Sequence, residues 1–146
     1  MLPLVEIYTD GSCLTYAGGA GGYGVVLKQG DRVKELSGGD RPTKASSMEL
    51  EAIIVALEAL KVPVKGTVYT DAQNVIMTMN VWLERWKTNG WVRDRGKPIT
   101  NLDQWKKIDA LAAKHQLNWV WIDSEQGNQF SQRCVALARQ EARQRK

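Results

Sequence analysis

A five-stranded mixed α/β sheet, three antiparallel strands followed by two parallel ones with helices on its faces, is the fold this sequence predicts. Three observations predict it. Strand-like runs near the N-terminus are separated by turn residues, a short β-branched run at Thr67 to Asp71 feeds directly into a helical pattern, and helix and strand go on alternating to the C-terminus. Interleaving of this kind gathers sites at the C-terminal ends of strands.

Leu4 to Thr9 alternates, with Leu4, Glu6 and Tyr8 on one face and Val5, Ile7 and Thr9 on the other, and Asp10-Gly11-Ser12 is expected to break the strand. The glycine-rich stretch Gly18 to Gly24 leads into a second strand ending at Lys28. Asp31 to Ser37 follows Gln29-Gly30 as its hairpin partner. Ser46 or Ser47 is the expected N-cap of a helix in which Met48, Ala52, Val55, Ala56 and Ala59 recur at helical spacing, with Pro63 beyond its end. After the strand Thr67 to Asp71, Ala72 to Met79 reads as helix. Asn101 or Asp103 can cap another through Trp105, Ile108, Leu111 and Ala112. Leu117 to Ile122 is a strand and Asp123 to Gln129 a polar loop. The final helix is expected to turn Val135, Leu137, Ala138 and Ala142 inward and Arg139, Arg143, Arg145 and Lys146 outward.

A chain of 146 residues fits one domain, and 43% hydrophobic with 25% charged residues excludes a disordered or fibrous chain. No stretch stays apolar for the roughly 18 residues a membrane span needs, and the start lacks a basic, then apolar, leader. A soluble, cytoplasmic protein without a membrane partner is expected. Cys13 and Cys134 are far apart and outside any zinc-like spacing, so inert thiols are expected. The net charge of +4 favours a polyanionic partner. Positive charge concentrates between Val81 and Lys107, where Arg85, Lys87, Arg93, Arg95, Lys97, Lys106 and Lys107 share the stretch with Trp82, Trp86, Trp91 and Trp105. Such side chains can bind phosphates and sugars, and tryptophans four apart also pack as a helical core; both roles are expected together.

Three acidic residues fall where a site would form. Asp10 ends the first strand, Asp71 ends the fourth, and Glu49 lies in the first turn of the helix between them. Parallel neighbouring strands would set both aspartates on one sheet edge. Clustered carboxylates repel one another without cations and suit Mg²⁺ or Mn²⁺. Two such ions about 4 Å apart would serve phosphodiester hydrolysis. The spacing alone also allows a turn aspartate, an ordinary helix acid and an N-cap.

The strings Val5-Glu-Ile-Tyr-Thr-Asp-Gly-Ser-Cys-Leu14, Met48-Glu-Leu50, Tyr69-Thr-Asp-Ala-Gln-Asn74 and Trp82-Leu-Glu-Arg-Trp-Lys-Thr-Asn-Gly-Trp91 resemble the bacterial ribonuclease HI family, over residue 4 to about residue 142. The resemblance implies a ribonuclease H-like fold with a basic protrusion at about 81–100. It implies an endonuclease that hydrolyses the RNA strand of RNA/DNA hybrids, independent of sequence, with two magnesium ions. Asp10, Glu49 and Asp71 match three of that family's four metal-binding carboxylates. Cys13 and Gln73 match positions that contact the hybrid, Ser46 stands where one contacting amide would be, and Trp82, Trp86, Lys87, Trp91 and Lys97 belong to the protrusion. A monomer with no obligate protein partner is expected.

Two departures fall on catalytic positions; others are Ala45-Ser46 for the family's Asn-Asn pair and Thr15-Tyr-Ala-Gly18 for its early Gly-Asn-Pro-Gly turn, with one residue inserted nearby. Val135 replaces the fourth carboxylate, and Glu125 stands where the family has a mobile histidine. Three outcomes follow. Glu125, Asp123 or Asn128 substitutes as ligand; the second ion is held weakly in a slow enzyme; or the protein is an inactive hybrid-binding module. His115, the only histidine, is expected to be a helix-end residue favourable to the dipole.

Overall fold

The computed structural model describes residues 1–15 and 18–146. Its five strands are β1 (Leu4–Cys13), β2 (Gly19–Gln29), β3 (Arg32–Thr43), β4 (Lys65–Thr70) and β5 (Gln116–Trp121). Its helices are α1 (Ala45–Glu58), α2 (Gln73–Met77), α3 (Leu83–Thr88), α4 (Leu102–Ala112) and α5 (Gln129–Gln144). The sheet order is β3-β2-β1-β4-β5, antiparallel on the β3-β2-β1 side and parallel from β1 through β5. This is the predicted mixed sheet.

Alternation along β1 divides the core. Val5 and Ile7, with Val25, Leu27, Val68 and Trp119, form the main core with α1, in which Leu50, Ile53, Ile54 and Leu57 are buried. On the opposite face Tyr8, Val26 and Cys134 make a smaller cluster under α5, joined by Tyr69, Ile122 and Phe130. The Tyr8 and Tyr69 rings stack at 4.8 Å, and Phe130 meets Tyr8 at 5.4 Å. Tyr8 lies opposite Tyr69 in the parallel register. Two residues further along each chain come Asp10 and Asp71, on the same face by the two-residue alternation of strands. The aromatic stack therefore fixes the register that sets these carboxylates side by side.

The Asp10-Gly11-Ser12 sequence does not break β1, as expected of a turn. Pairing continues through Asp10 opposite Gly24, Gly11 opposite Tyr23 and Cys13 opposite Gly21. The glycines that suggested a loop are inside β2, and close approach explains them. A methyl group on Gly24 would sit 2.4 Å from the Cys134 carbonyl oxygen of α5, and one on Gly11 would sit 2.2 Å from the Glu49 amide nitrogen of α1. Bare backbone at these two points lets α5 and α1 descend on either side of Asp10. The segment Thr15-Tyr-Ala-Gly18 includes residues 16 and 17, which lie outside the described residues.

Helix starts differ from expectation. Lys44 is the N-cap of α1 and offers no side-chain bond, so Ser46 and Ser47 lie within the first turn and Glu49 just beyond it. Ser47 is instead tied to α4: its Oγ donates to Gln104 Oε1 at 3.2 Å, and Gln104 Nε2 donates to its carbonyl at 3.0 Å. Asn101 precedes α4 in the left-handed conformation without capping it, and its side-chain amide reaches Ser46 Oγ at 3.5 Å. The expected helix Ala72 to Met79 passes into a π-helical turn, Thr78–Trp82, before α3. His115 lies beyond α4, and its Nδ1 accepts the Val64 amide at 3.1 Å. Burial and Lys114 hold its pKa below the usual value, so it is a neutral acceptor stitching β5 to the α1–β4 connection, not a dipole-stabilised cation. Both cysteines are free; Cys134 is buried in the α5 interface. No helix among the described residues is long and apolar enough to cross a membrane.

Candidate active site

Asp10, Asp71 and Glu125 line one pocket of about 550 Å³, together with Gly11, Ser12, Ser124 and the α5 residues Gln132, Val135, Ala136 and Arg139. Each wall has a separate origin. β1 supplies Asp10, the end of β4 supplies Asp71, and the loop after β5 supplies Ser124 and Glu125. The residues at 132, 135, 136 and 139 form one stripe of α5 at helical spacing. Glu49 is not in that lining but approaches from α1.

The charges interact. Asp10 is 9% exposed, and its pKa is pushed up to about 8, first by burial and then by the Asp71 and Glu49 carboxylates, while Arg139 pulls it down. Glu49 is pushed up to about 7 by burial and by Asp71. Buried carboxylates that hinder one another's ionisation form a hard-oxygen donor set, which suits a divalent cation. Among the described residues no three acidic, histidine or cysteine side chains already converge on one point as a closed cage. The donor set is open.

Asp71 is held from two sides by residues that the sequence reading missed. Ser124 Oγ donates to Asp71 Oδ2 at 2.7 Å, and Trp121 Nε1 donates to the Asp71 carbonyl at 3.1 Å. No local pattern announces these bonds, because the partners lie 53 and 50 positions apart. Ser124→Ala is expected to weaken Mg²⁺ binding about tenfold, the usual lower bound for losing a group that orients a metal ligand, as measured by calorimetric titration of the free protein.

The three substitutes considered for the fourth carboxylate are placed differently. Asn128 Oδ1 caps α5, accepting the Phe130 and Ser131 amides, each at 2.9 Å, so its oxygen is engaged elsewhere. Asp123 Oδ1 accepts the Glu125 amide at 3.0 Å and shapes the loop. Glu125 alone of the three lines the pocket, exposed and two residues before Gly127 (φ 85). Val135, expected in the core, is half-buried in the pocket wall, and Arg139, exposed as expected, also lines that wall.

A second concavity of about 620 Å³ is lined by residues close in sequence to two of these carboxylates. Ser46, three residues before Glu49, and Asn74, three after Asp71, line it with Trp82, Trp86, Arg93, Asp94, Arg95, Lys97 and Trp105, among others. Trp105 is buried and meets Trp86 edge-on at 6.1 Å. Tryptophans thus build the groove's floor and cations its rim. Arg85 lies over the Trp82 ring at 5.2 Å, and Lys106 over Trp91 at 5.5 Å. Trp91 packs against the main core and, like Lys87, lies outside the groove lining. Lys87 is directed to Asp109 at 3.1 Å and Glu84 at 3.5 Å. Gln73 is exposed at the start of α2, and Cys13 Sγ donates to the Thr43 carbonyl at 3.4 Å.

The family profile described as RNase H matches residues 3–143. The chain belongs to the RNase H family. A relative named Ribonuclease H from Bradyrhizobium diazoefficiens (strain JCM 10833 / BCRC 13528 / IAM 13628 / NBRC 14792 / USDA 110) is 45% identical over 138 residues, covering 94% of this chain and 89% of the relative. Among solved structures, a type 1 RNase H with the type 2 active-site motif, LC9-RNase H1, superposes with a TM-score of 0.88 at 24% identity, over 100% of this chain and 75% of that one. LC11-RNase H1 in complex with RNA/DNA hybrid gives a TM-score of 0.74 at 23% identity, over 96% of this chain and 97% of that one. At these identities the two structures speak for the RNase H fold.

Proposed function

We propose that this chain is an endonuclease that hydrolyses the RNA strand of RNA/DNA hybrids, with Asp10, Glu49 and Asp71 as its divalent-cation ligands and Glu125 in place of the absent fourth aspartate. The carrying observation is the meeting of Asp10, Asp71 and Glu125 in one pocket, with a basic, tryptophan-floored groove lined by residues close in sequence to Glu49 and Asp71. Family membership supplies the reaction class, and the donor chemistry supplies the ligands.

Mg²⁺, or Mn²⁺ in its stead, would supply Lewis acidity at the phosphodiester and a water of lowered pKa. The chain's own residues position and orient. Ser124 and Trp121 hold Asp71 in place. The groove draws in a nucleic acid through Arg93, Arg95 and Lys97, with Trp82 and Trp86 shaping its floor. Ser46, Cys13 and Gln73 flank the carboxylates and can meet ribose hydroxyls, which distinguish RNA from DNA. Contacts to phosphate and sugar carry no base code, so cleavage is expected to be independent of sequence.

Glu125→Gln keeps the side chain's size and removes its charge. We expect it to lower kcat on a labelled hybrid on the order of tenfold and to raise the Mg²⁺ concentration needed for half-maximal rate. Unchanged kcat and unchanged metal requirement would remove Glu125 from the ligand set. Duplex DNA of the same sequence serves as the specificity control and is expected to remain uncut.

The Val135 wall favours an attenuated version of the same reading, because an apolar side chain offers nothing to a second ion. Hybrid binding without cleavage in either metal would mark the chain as a binding module.

A further inference from the structure

The α5 wall of the carboxylate pocket carries a cation that neither the donor set nor the groove explains. We propose that Arg139 binds the phosphate of the RNA strand from that wall, holding it against Asp10 and Asp71 and neutralising charge on the side where Val135 leaves no ion ligand. The assignment rests on the endonuclease reading and adds a phosphate contact to it.

Its geometry is built by the fold. Asn128 caps α5, Phe130 packs on Tyr8, and Cys134 lies against the bare backbone of Gly24, so the helix cannot rotate about its axis. With that rotation fixed, Val135 and Arg139, one turn apart, both face the pocket. Arg143, further along α5, does not line the pocket, and two other arginines are engaged elsewhere. Arg133 makes a two-pronged bond to Glu35 at 2.7 and 3.0 Å, and Arg145 pairs with Glu141 at 3.5 Å. Arg139 makes no ion pair within 4.0 Å among the described residues, although its charge is felt at Asp10.

Charge decides what such a wall accepts. A carboxylate at position 135 would make the α5 side a cation ligand; Val135 next to Arg139 makes it apolar and positive, which suits an anion. A guanidinium presents planar paired donors to two phosphate oxygens, which an ammonium cannot do. The same positive charge opposes cation binding at Asp10, so the two ligands should respond to its removal in opposite directions.

The experiment measures binding of a short RNA/DNA hybrid in EDTA, across a salt series, for the wild type, Arg139→Ala, Arg139→Lys and Arg143→Ala. A separate calorimetric titration of each with Mg²⁺ contains no nucleic acid. Arg139→Ala is expected to weaken metal-free hybrid binding about tenfold and to make the log–log salt slope shallower by about 1, the signature of one lost phosphate contact. Arg139→Lys should keep the salt slope while recovering only part of the affinity, which a merely structural role would not produce. Arg143→Ala removes equal charge from the same helix and should leave Mg²⁺ affinity unchanged, whereas Arg139→Ala should bind Mg²⁺ several-fold more tightly. Wild-type hybrid affinity and salt slope retained in Arg139→Ala would overturn the assignment alone. A wild-type protein that neither binds nor cuts the hybrid would overturn the endonuclease reading and this assignment with it.

Discussion

Asp10→Asn should abolish hybrid cleavage, lowering the rate on the order of a thousandfold or more, while making the metal-free protein more stable at alkaline pH. Both effects come from one buried carboxyl. Its pKa is raised from 3.8 to about 8, so the folded state holds a proton there that the unfolded chain has already released. Stability therefore falls as pH rises from about 4 through about 8, because over that window the native state binds more protons than the unfolded state. Asparagine is neutral throughout and escapes the loss. In EDTA at pH 8.5 the variant should be more stable by on the order of 1–3 kcal/mol, and at pH 4 the difference should vanish. Mg²⁺ should narrow the gap at pH 8.5 by binding only the wild type. Thermal unfolding at the two pH values, with and without Mg²⁺, reads all three results. An Asp10→Asn protein that is less stable at pH 8.5 in EDTA would contradict the electrostatic account of the pocket.

Val135→Asp is expected to act in the opposite sense. Val135 lines the pocket on the same side as Arg139, so a carboxylate there would join Asp10 and Asp71 around a shared volume. The variant should raise kcat on the hybrid roughly 10- to 100-fold and lower the Mg²⁺ concentration for half-maximal rate by a similar factor. It should also make Glu125→Gln nearly silent, since a supplied fourth ligand removes the need for a substitute. A further buried carboxylate adds repulsion, so the metal-free variant should lose stability at pH 8.5. Steady-state kinetics on the double variant test the redundancy. A Val135→Asp protein no faster than wild type at saturating Mg²⁺ would mean that the fourth ligand does not limit the reaction.

Much of the framework was readable from the chain, because alternation, helical spacing and Gly/Pro punctuation act locally. The succession of strands and helices along the chain follows from such signals, while the meeting of Asp10 with Asp71 needed β1 and β4 to be parallel neighbours. What misled or stayed silent depends on tertiary packing. Asp10-Gly11-Ser12 has turn chemistry, yet β1 continues because β2 is bare enough at Gly22 and Gly24 to pair with it under α5. Ser46 and Ser47 have capping chemistry, yet α4 draws both into contacts, Ser47 to Gln104 and Ser46 to Asn101. The π-helical turn at Thr78–Trp82 interrupts the regular helix between α2 and α3, and helical periodicity alone does not reveal it. The roles of Ser124 and Arg139 escaped notice because they lie in what faces them, Asp71 and Asp10, on distant parts of the chain. Val135 and Glu125 were visible only as departures from a family pattern; their common pocket required the fold.

Cleavage of an end-labelled RNA/DNA hybrid by the wild-type protein in Mg²⁺, in parallel with Asp10→Asn prepared identically, tests the central claim most directly. The account predicts RNA-strand fragments from the wild type and none from the variant, with the DNA strand intact in both. Equal cutting by the two proteins, or none by the wild type in either Mg²⁺ or Mn²⁺, would contradict it.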